Sequence, residues 1–428
     1  MKLRARPWLL LAASFIIAVS FWHWAKAILV PAYTAKVLAE KRPVGNNSDL
    51  YPRWLGAREL LLHGRDPYGA EVSREMQTGF YGRPLDPQNP ADPTARAAFV
   101  YPLYVVFLLA PSVTWSFDTV AQVFRWLLLA SIACSIPLWM RALKIRLVRP
   151  MLIAGMLLAL ASYPAVEEYF QQNLTALVIF FLAAAAAAAS RNWLILSGFL
   201  LALATMKPDT TGLVILWFLF WVAGNWKQRG RLFWGFTGTM AALLLSSEAI
   251  SPGWIPRFVA AVREYPAYGT DPTVLQALMP HWLAQFLAVA LIIFLAGICW
   301  QCRRAAAASE QFGWALASVA AVTLVVLPKL AAYNQLLLIP ALLVLARAYS
   351  RLPTAGFLRR VMTKAAFACQ VWQWCAAALL AICSLFFSVP RLRSVAEVPL
   401  YTLLAFPFLT LLTVAFSIPA IAGGKPPE

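Results

Sequence analysis

Four short stretches hold the side chains best placed to do chemistry. The first is "NNSDLYPRW", where Asp49 follows the first apolar segment and opens a helical pattern. As a helix cap, Asp49 would put Pro52 at the third helical position, where a capping carboxylate commonly wants the N–H that proline lacks. Ser48 is free to cap instead, which leaves the Asp49 carboxylate to act as a general base on an attacking hydroxyl. The second stretch is "ATMKPDTTG", with Lys207 at a corner between two apolar segments and Pro208 starting the next helix. Fixed positive charge there suits a phosphate. A lysine that snorkels to the membrane surface has the same address. In "VEEYFQQNLTA", Glu167, Glu168, Gln171, Gln172 and Asn173 crowd a very short connection, either lining a polar cavity or solvating a tight turn. The fourth, "LPKLAAYNQLLLIPAL", puts Lys329, Tyr333, Asn334 and Gln335 at another corner, as site groups or as interface anchors.

Other chemistries find less support. His23, His63 and His281 are scattered without metal-ligand spacing, and no Asp-x-Asp pair occurs, so neither a metal nor a cofactor is expected. Cys299 and Cys302 in "CWQC" lack a second ligand pair and read as packing. The net charge of +18 comes from basic residues spread over short loops, a distribution that serves membrane orientation and argues against nucleic acid.

The elements that must position these groups are membrane helices. Of 428 residues, 61% are hydrophobic and 13% charged, about half the charged fraction of a soluble domain. Apolar runs recur at close to the ~20 residues that a helix needs to cross ~30 Å of hydrocarbon. The expected fold is an all-α polytopic membrane protein with twelve spans, near 8–30, 118–140, 150–166, 173–190, 193–207, 209–224, 232–250, 283–300, 312–328, 332–347, 370–389 and 399–421. The alanine run 183–189 reads as a helix-packing face.

Charge sets the orientation. With 100–116 lying along the outer surface, the inner segments hold nineteen Lys and Arg and the short outer loops six: Lys207, Arg257, Arg263, Lys329, Arg391 and Arg393. That imbalance places both termini in the cytoplasm. One polytopic domain then carries a first exterior segment over 31–117 and a second over 251–282. Within the first, "RWLGARELLLHG" is expected as an interfacial helix stopped by Gly64, and 79–98 as an irregular segment. Trp254, Trp282, Tyr265 and Tyr268 read as an aromatic belt.

The order of the pieces "SDLYPRWLGARELLLHGRDPY", "FVYPLYVVFLLAP", "QQNLTALVIFFLAAA", "GFLLALATMKPDTTGLVILWFL" and "YNQLLLIPALLVL" resembles glycosyltransferase family 87 over about residues 8 to 350. The resemblance implies a GT-C-like bundle whose first exterior loop carries juxtamembrane helices, and a catalytic aspartate after the first span, here Asp49. Where the family has Tyr-Pro-Pro this chain has Tyr101, Pro102 and Leu103. Its Gly-Gln-x-Asn corresponds to Gln171, Gln172 and Asn173 without the glycine, and its Lys-Pro to Lys207 and Pro208. Where many relatives have a histidine near 328–334, this chain has Lys329, Tyr333 and Asn334. The implied activity is inverting transfer of a sugar, mannose-like, from a polyprenyl-phosphate donor to a lipid or glycan acceptor at the outer face of the plasma membrane. Lys207, Lys329 and Arg65 are the candidates for the donor phosphate, and Tyr101, Gln172, Asn173, Tyr333 and Asn334 for the substrate cavity. The alternative is a transporter or flippase of lipid-linked sugars. Against it, the two halves of the chain are not related, since no loop after the seventh span matches the first exterior one.

Overall fold

A computed structural model describes residues 2–39, 45–86, 88, 89, 92, 93, 96–265, 272–327, 331–348 and 356–417, and every regular element among them is helical. Lys329 and Tyr268 lie outside the described residues. In chain order the helices begin with α1 (Lys2–Trp24), which runs through a π turn (Ala25–Leu29) into α2 (Val30–Ala39). Next come α3 (Leu50–His63), α4 (Ala70–Tyr81) and α5 (Val105–Leu109). Then follow α6 (Phe117–Ala142), α7 (Arg149–Leu160), α8 (Tyr163–Gln171), α9 (Thr175–Ser190), α10 (Leu194–Ala204), α11 (Pro208–Ala223) and α12 (Trp226–Ile250). After these lie α13 (Trp254–Arg263) and α14 (Val274–Leu278). The chain closes with α15 (His281–Cys302), α16 (Glu310–Val326), a 3-10 run (Ala332–Leu338), α17 (Ile339–Ala348), α18 (Phe357–Cys383), α19 (Val389–Leu392) and α20 (Ala405–Ala415).

Each of the twelve expected spans holds a helix, but among the described residues five runs are long and apolar enough to cross a membrane unaided, or six with the bent pair α7–α8. These make the chain an integral membrane protein. Five shorter apolar runs, α9, α10, α11, α16 and Ala332–Ala348, have 10–17 residues, or about 15–25 Å against ~30 Å of hydrocarbon. Their ends are cut by polar corners such as Arg191–Asn192 and Lys207, and at least two of those corners build the site described below.

The α7–α8 joint bends by 59°, because Pro164 lacks the N–H that a continuous helix would use. Carbonyls freed at such a break need donors in an apolar setting. The indole of Trp22 on α1 donates to the Leu160 carbonyl at 3.1 Å, and that of Trp374 on α18 to the Ala161 carbonyl at 2.6 Å.

Helices α3, α4 and α5 share a core with residues of α6 and α9, in which Trp54, Leu55, Leu60, Met76, Phe99, Leu103 and Val106 are buried with Phe124 and Val178. With five residues α5 is too short to span a membrane. Gly64 ends α3 at φ 64°, as expected. Arg53 and Glu59 of α3 are buried while Leu61 and Leu62 are exposed. The buried charges are met by the Asp49 carbonyl and the Tyr101 hydroxyl for Arg53 and by Arg65 for Glu59.

The alanine run packs α9 between α6 and α10. Next to it, α10 and α12 approach closely at two glycines: a Cβ on Gly198 would collide with the Leu232 carbonyl oxygen, and one on Gly235 with the Ile195 carbonyl oxygen. Gly198→Leu should therefore cost about 1–3 kcal/mol or more by overpacking, read as a lowered thermal midpoint in detergent. An unchanged midpoint would contradict this packing.

Candidate active site

Four segments distant in sequence converge at one place: the start of α3, the α8–α9 turn, the α10–α11 corner and the 3-10 run. Asp49 sits immediately before α3 in helical conformation, and its side chain makes no capping bond. The Leu50 N–H instead donates to Ser48 Oγ at 3.3 Å. The partly buried Asp49 carboxylate turns toward the bundle, where Oδ2 accepts from Asn173 Nδ2 at 2.7 Å and from the Tyr333 hydroxyl at 3.4 Å. Its backbone N–H is tied to the Gln171 carbonyl at 2.7 Å.

Asn173 reaches that position through a backbone turn. Gln172 adopts the left-handed conformation, φ 55° and ψ 45°, and ends α8. For a non-glycine residue this costs on the order of 1 kcal/mol. Its side chain offsets that cost, since Oε1 accepts from Ser48 Oγ and Nε2 donates to the Ala121 carbonyl at 2.6 Å. Gln172 is thus fully buried and fastens Ser48, at the start of α3, to α6.

On the far side of the same amide, Asn173 Oδ1 accepts from Lys207 Nζ at 3.0 Å. The two neighbours, an acceptor-only carboxylate and a donor-only ammonium, dictate the amide's orientation. Lys207 also donates to Thr175 Oγ1 and to Asn334 Oδ1, the latter at 2.8 Å, and stands 4.4 Å from the centre of the Tyr333 ring. Three hydrogen bonds match the three donors of an ammonium. Lys207 is 2% exposed and lies beneath Asn173. Asn334 completes the network by accepting from Thr210 Oγ1 at 3.2 Å, while its Nδ2 is buried without an acceptor.

Arg53, one helical turn beyond Asp49, is the group that sequence reasoning passed over as part of a polar face. It is 1% exposed, its guanidinium lies 3.9 Å from the Tyr101 ring centre, and it donates to the Tyr101 hydroxyl and to the Asp49 carbonyl. Burial works against its charge, but Tyr101, Asp49 and Tyr333 outweigh it and hold the guanidinium above its ordinary range. Its Nε is buried without an acceptor. Tyr101 is itself fixed, its carbonyl accepting from the Tyr68 hydroxyl at 2.7 Å.

Arg65 does not join this group. It follows the C-terminal end of the 14-residue α3, roughly 20 Å from Asp49 at 1.5 Å per residue. There it pairs with Glu59 at 2.8 Å, Glu75 at 2.6 Å and Glu71 at 3.5 Å. Two phenols join instead. Burial and then the Asp49 charge push Tyr81 up to about 12. Burial, Tyr101 and Asp49 likewise raise Tyr265. Tyr265, expected in the aromatic belt, therefore belongs to the electrostatic surroundings of Asp49. Behind the site, Glu167 Oε2 accepts from the Tyr333 N–H at 2.6 Å and Glu168 Oε1 from the Ala176 N–H at 2.8 Å, whereas Glu168 Oε2 is buried without a donor. Arg257 on α13 pairs with Asp66, just beyond α3, at 3.1 Å.

The sequence profile of glycosyltransferase family 87 matches residues 99–328, more than half of the chain. Tyr101, Gln172, Asn173 and Lys207 fall inside the match, and Asp49, Tyr333 and Asn334 outside it. No curated protein matches the chain.

Lys207→Met should remove a charged donor from three buried acceptors at once, of which Thr175 Oγ1 has no other donor among the described residues. A loss of about 2–4 kcal/mol is expected, measured as a fall in thermal midpoint in detergent. Full stability in that variant would refute the support role.

Proposed function

From the chain's membership of glycosyltransferase family 87, we propose that it transfers a sugar, mannose-like, from a polyprenyl-phosphate donor to a hydroxyl of a lipid or glycan acceptor, with inversion at the anomeric carbon. The observation that carries this reading is the Asp49 carboxylate, held at a bundle mouth by Asn173 and Tyr333 beside a buried arginine. Asp49 takes the proton of the acceptor hydroxyl as its oxygen bonds to the anomeric carbon. The bond from that carbon to the lipid phosphate breaks, and its electron pair leaves on the phosphate oxygen.

Within this reading the cations divide their work. Lys207 keeps Asn173 oriented so that the amide donates to the base. Arg53, buried like Lys207, puts positive charge next to the reacting groups. Lys329 remains a candidate for direct phosphate contact on its sequence position alone. Fixed charge of this kind contributes on the order of a few kcal/mol where negative charge develops. A cavity of about 280 Å³, walled by Val274, Leu324, Leu400, Leu403 and Leu404 with Asn334 and Gln335 at its polar end, supports placing the donor's lipid tail there. The site faces outward in this proposal, as the basic inner loops require.

Asp49→Asn should lower transfer from a polyprenyl-phosphate sugar by about a thousandfold without altering the thermal midpoint; near-normal turnover would remove Asp49 as the base. Arg53→Gln should reduce kcat about a hundredfold, while Arg65→Gln leaves it within about threefold because its pairs are partly exposed. For orientation, a cysteine placed at the exposed His63 in a cysteine-free background should react with an impermeant maleimide in intact cells. Labelling that appears only after lysis would sink the outward placement.

A further inference from the structure

A second cavity, of about 330 Å³, lies between the end of the first helical run and the C-terminal segment, lined by Leu29, Ala32, Tyr33, Lys36, Arg393 and Glu397 among others. Its size falls within the range of ligand pockets, about 300–1,000 Å³. The run Arg6–Ala39 is 34 residues of continuous helix, about 50 Å long against ~30 Å of hydrocarbon. Its last turns, which carry Lys36, therefore extend into the headgroup zone, while Leu29 and Ala32 continue the apolar wall below.

Lys36 and Arg393 come from opposite ends of the chain and meet at this one cavity. Neither forms an ion pair among the described residues. The single carboxylate of the lining, Glu397, interacts with the Tyr33 hydroxyl, which also meets Tyr163 on α8. Arg257, another outer cation, is by contrast neutralised by Asp66. Two unpaired cations and the Ser394 hydroxyl above an apolar wall match one ligand chemistry, a phosphate joined to a hydrocarbon chain.

We propose that this cavity binds the phosphate headgroup of an anionic lipid, with Lys36, Arg393 and Ser394 holding the phosphate and the chain descending along Leu29, Ala32 and Ala396. The lining shares no residue with the group around Asp49, and the binding proposed here does not depend on the transfer reaction. A bound lipid would brace the joint between α2 and the segment around α19, on the side of α8 that carries Tyr163.

Native mass spectrometry of the full-length protein in detergent tests this, with phosphatidylglycerol and phosphatidylcholine added at equal concentration. Phosphatidylglycerol should be retained about tenfold over phosphatidylcholine. Lys36→Gln with Arg393→Gln should abolish that preference. Lys36→Arg with Arg393→Lys should keep it, as should Arg263→Gln, which removes an exposed outer cation elsewhere. Equal retention of the two lipids, an undiminished preference in the glutamine double variant, or an equal loss in Arg263→Gln would overturn the proposal. Displacement of phosphatidylglycerol by millimolar inorganic phosphate would assign the cavity to free phosphate and overturn the lipid source. The two wild-type measurements need no variant, so a misfolded double variant leaves the test intact.

Discussion

One amide, that of Asn173, stands between a carboxylate and an ammonium that do not touch each other. A direct Asp49–Lys207 pair would neutralise the carboxylate and, in the proposed reaction, block it from an acceptor hydroxyl. The interposed amide passes on part of the lysine's field while its N–H orients the carboxylate. Burying an ammonium costs several kcal/mol unless its donors are satisfied, and the three acceptors of Asn173, Thr175 and Asn334 meet that need. Much of the local backbone follows from this constraint. The bend at Pro164 tilts α8, Gln172 turns left-handed to release Asn173 inward, and Pro208 begins α11 directly after Lys207.

The same constraint shapes the membrane helices. A corner that presents Lys207 or Asn173 to a buried network must end its helices there, which leaves α9, α10 and α11 shorter than the hydrocarbon is thick. The shortfall is met by packing: α9 is buried over almost all its length, and α10 lies so close to α12 that two glycines are required at the contact. Long helices such as α15, with Phe286, Val289 and Ile293 exposed, provide the apolar surface that the short ones do not. The bundle thus separates helices that span from helices that position.

Helix positions were readable because each apolar run carries its own signal, independent of partners. Asp49, Asn173, Lys207, Tyr333 and Asn334 were readable because polar groups are scarce beside apolar runs, and the structure brings these five together. Their mutual arrangement was not, since sequence proximity does not reveal that Lys207 lies behind Asn173. Arg53 escaped notice because it sits in a helix with charges on its other turns, and nothing local tells a buried arginine from a solvated one. Its distinguishing partner, Tyr101, is 48 residues away. Arg65 misled for the converse reason: its glutamates are near in sequence, yet an arginine beside a turn also fits a phosphate.

The C-terminal segment connects the two cavities. Leu400, Leu403 and Leu404 wall the one that ends at Asn334, and Arg393, Ser394 and Glu397 line the one at Lys36. The segment is fixed between them by the Trp24 indole, which donates to the Ala396 carbonyl at 3.0 Å, and by Gln335 Nε2, which donates to the Leu403 carbonyl at 2.9 Å. The first bond anchors it to α1 and the second to the 3-10 run that carries Tyr333 and Asn334. A shift of this segment would therefore be felt both at the C-terminal end of α1 and in the network beneath Asp49. It lies beyond residue 328, where the family match ends, so the part of the chain that separates the two cavities is also one that the shared family pattern does not cover.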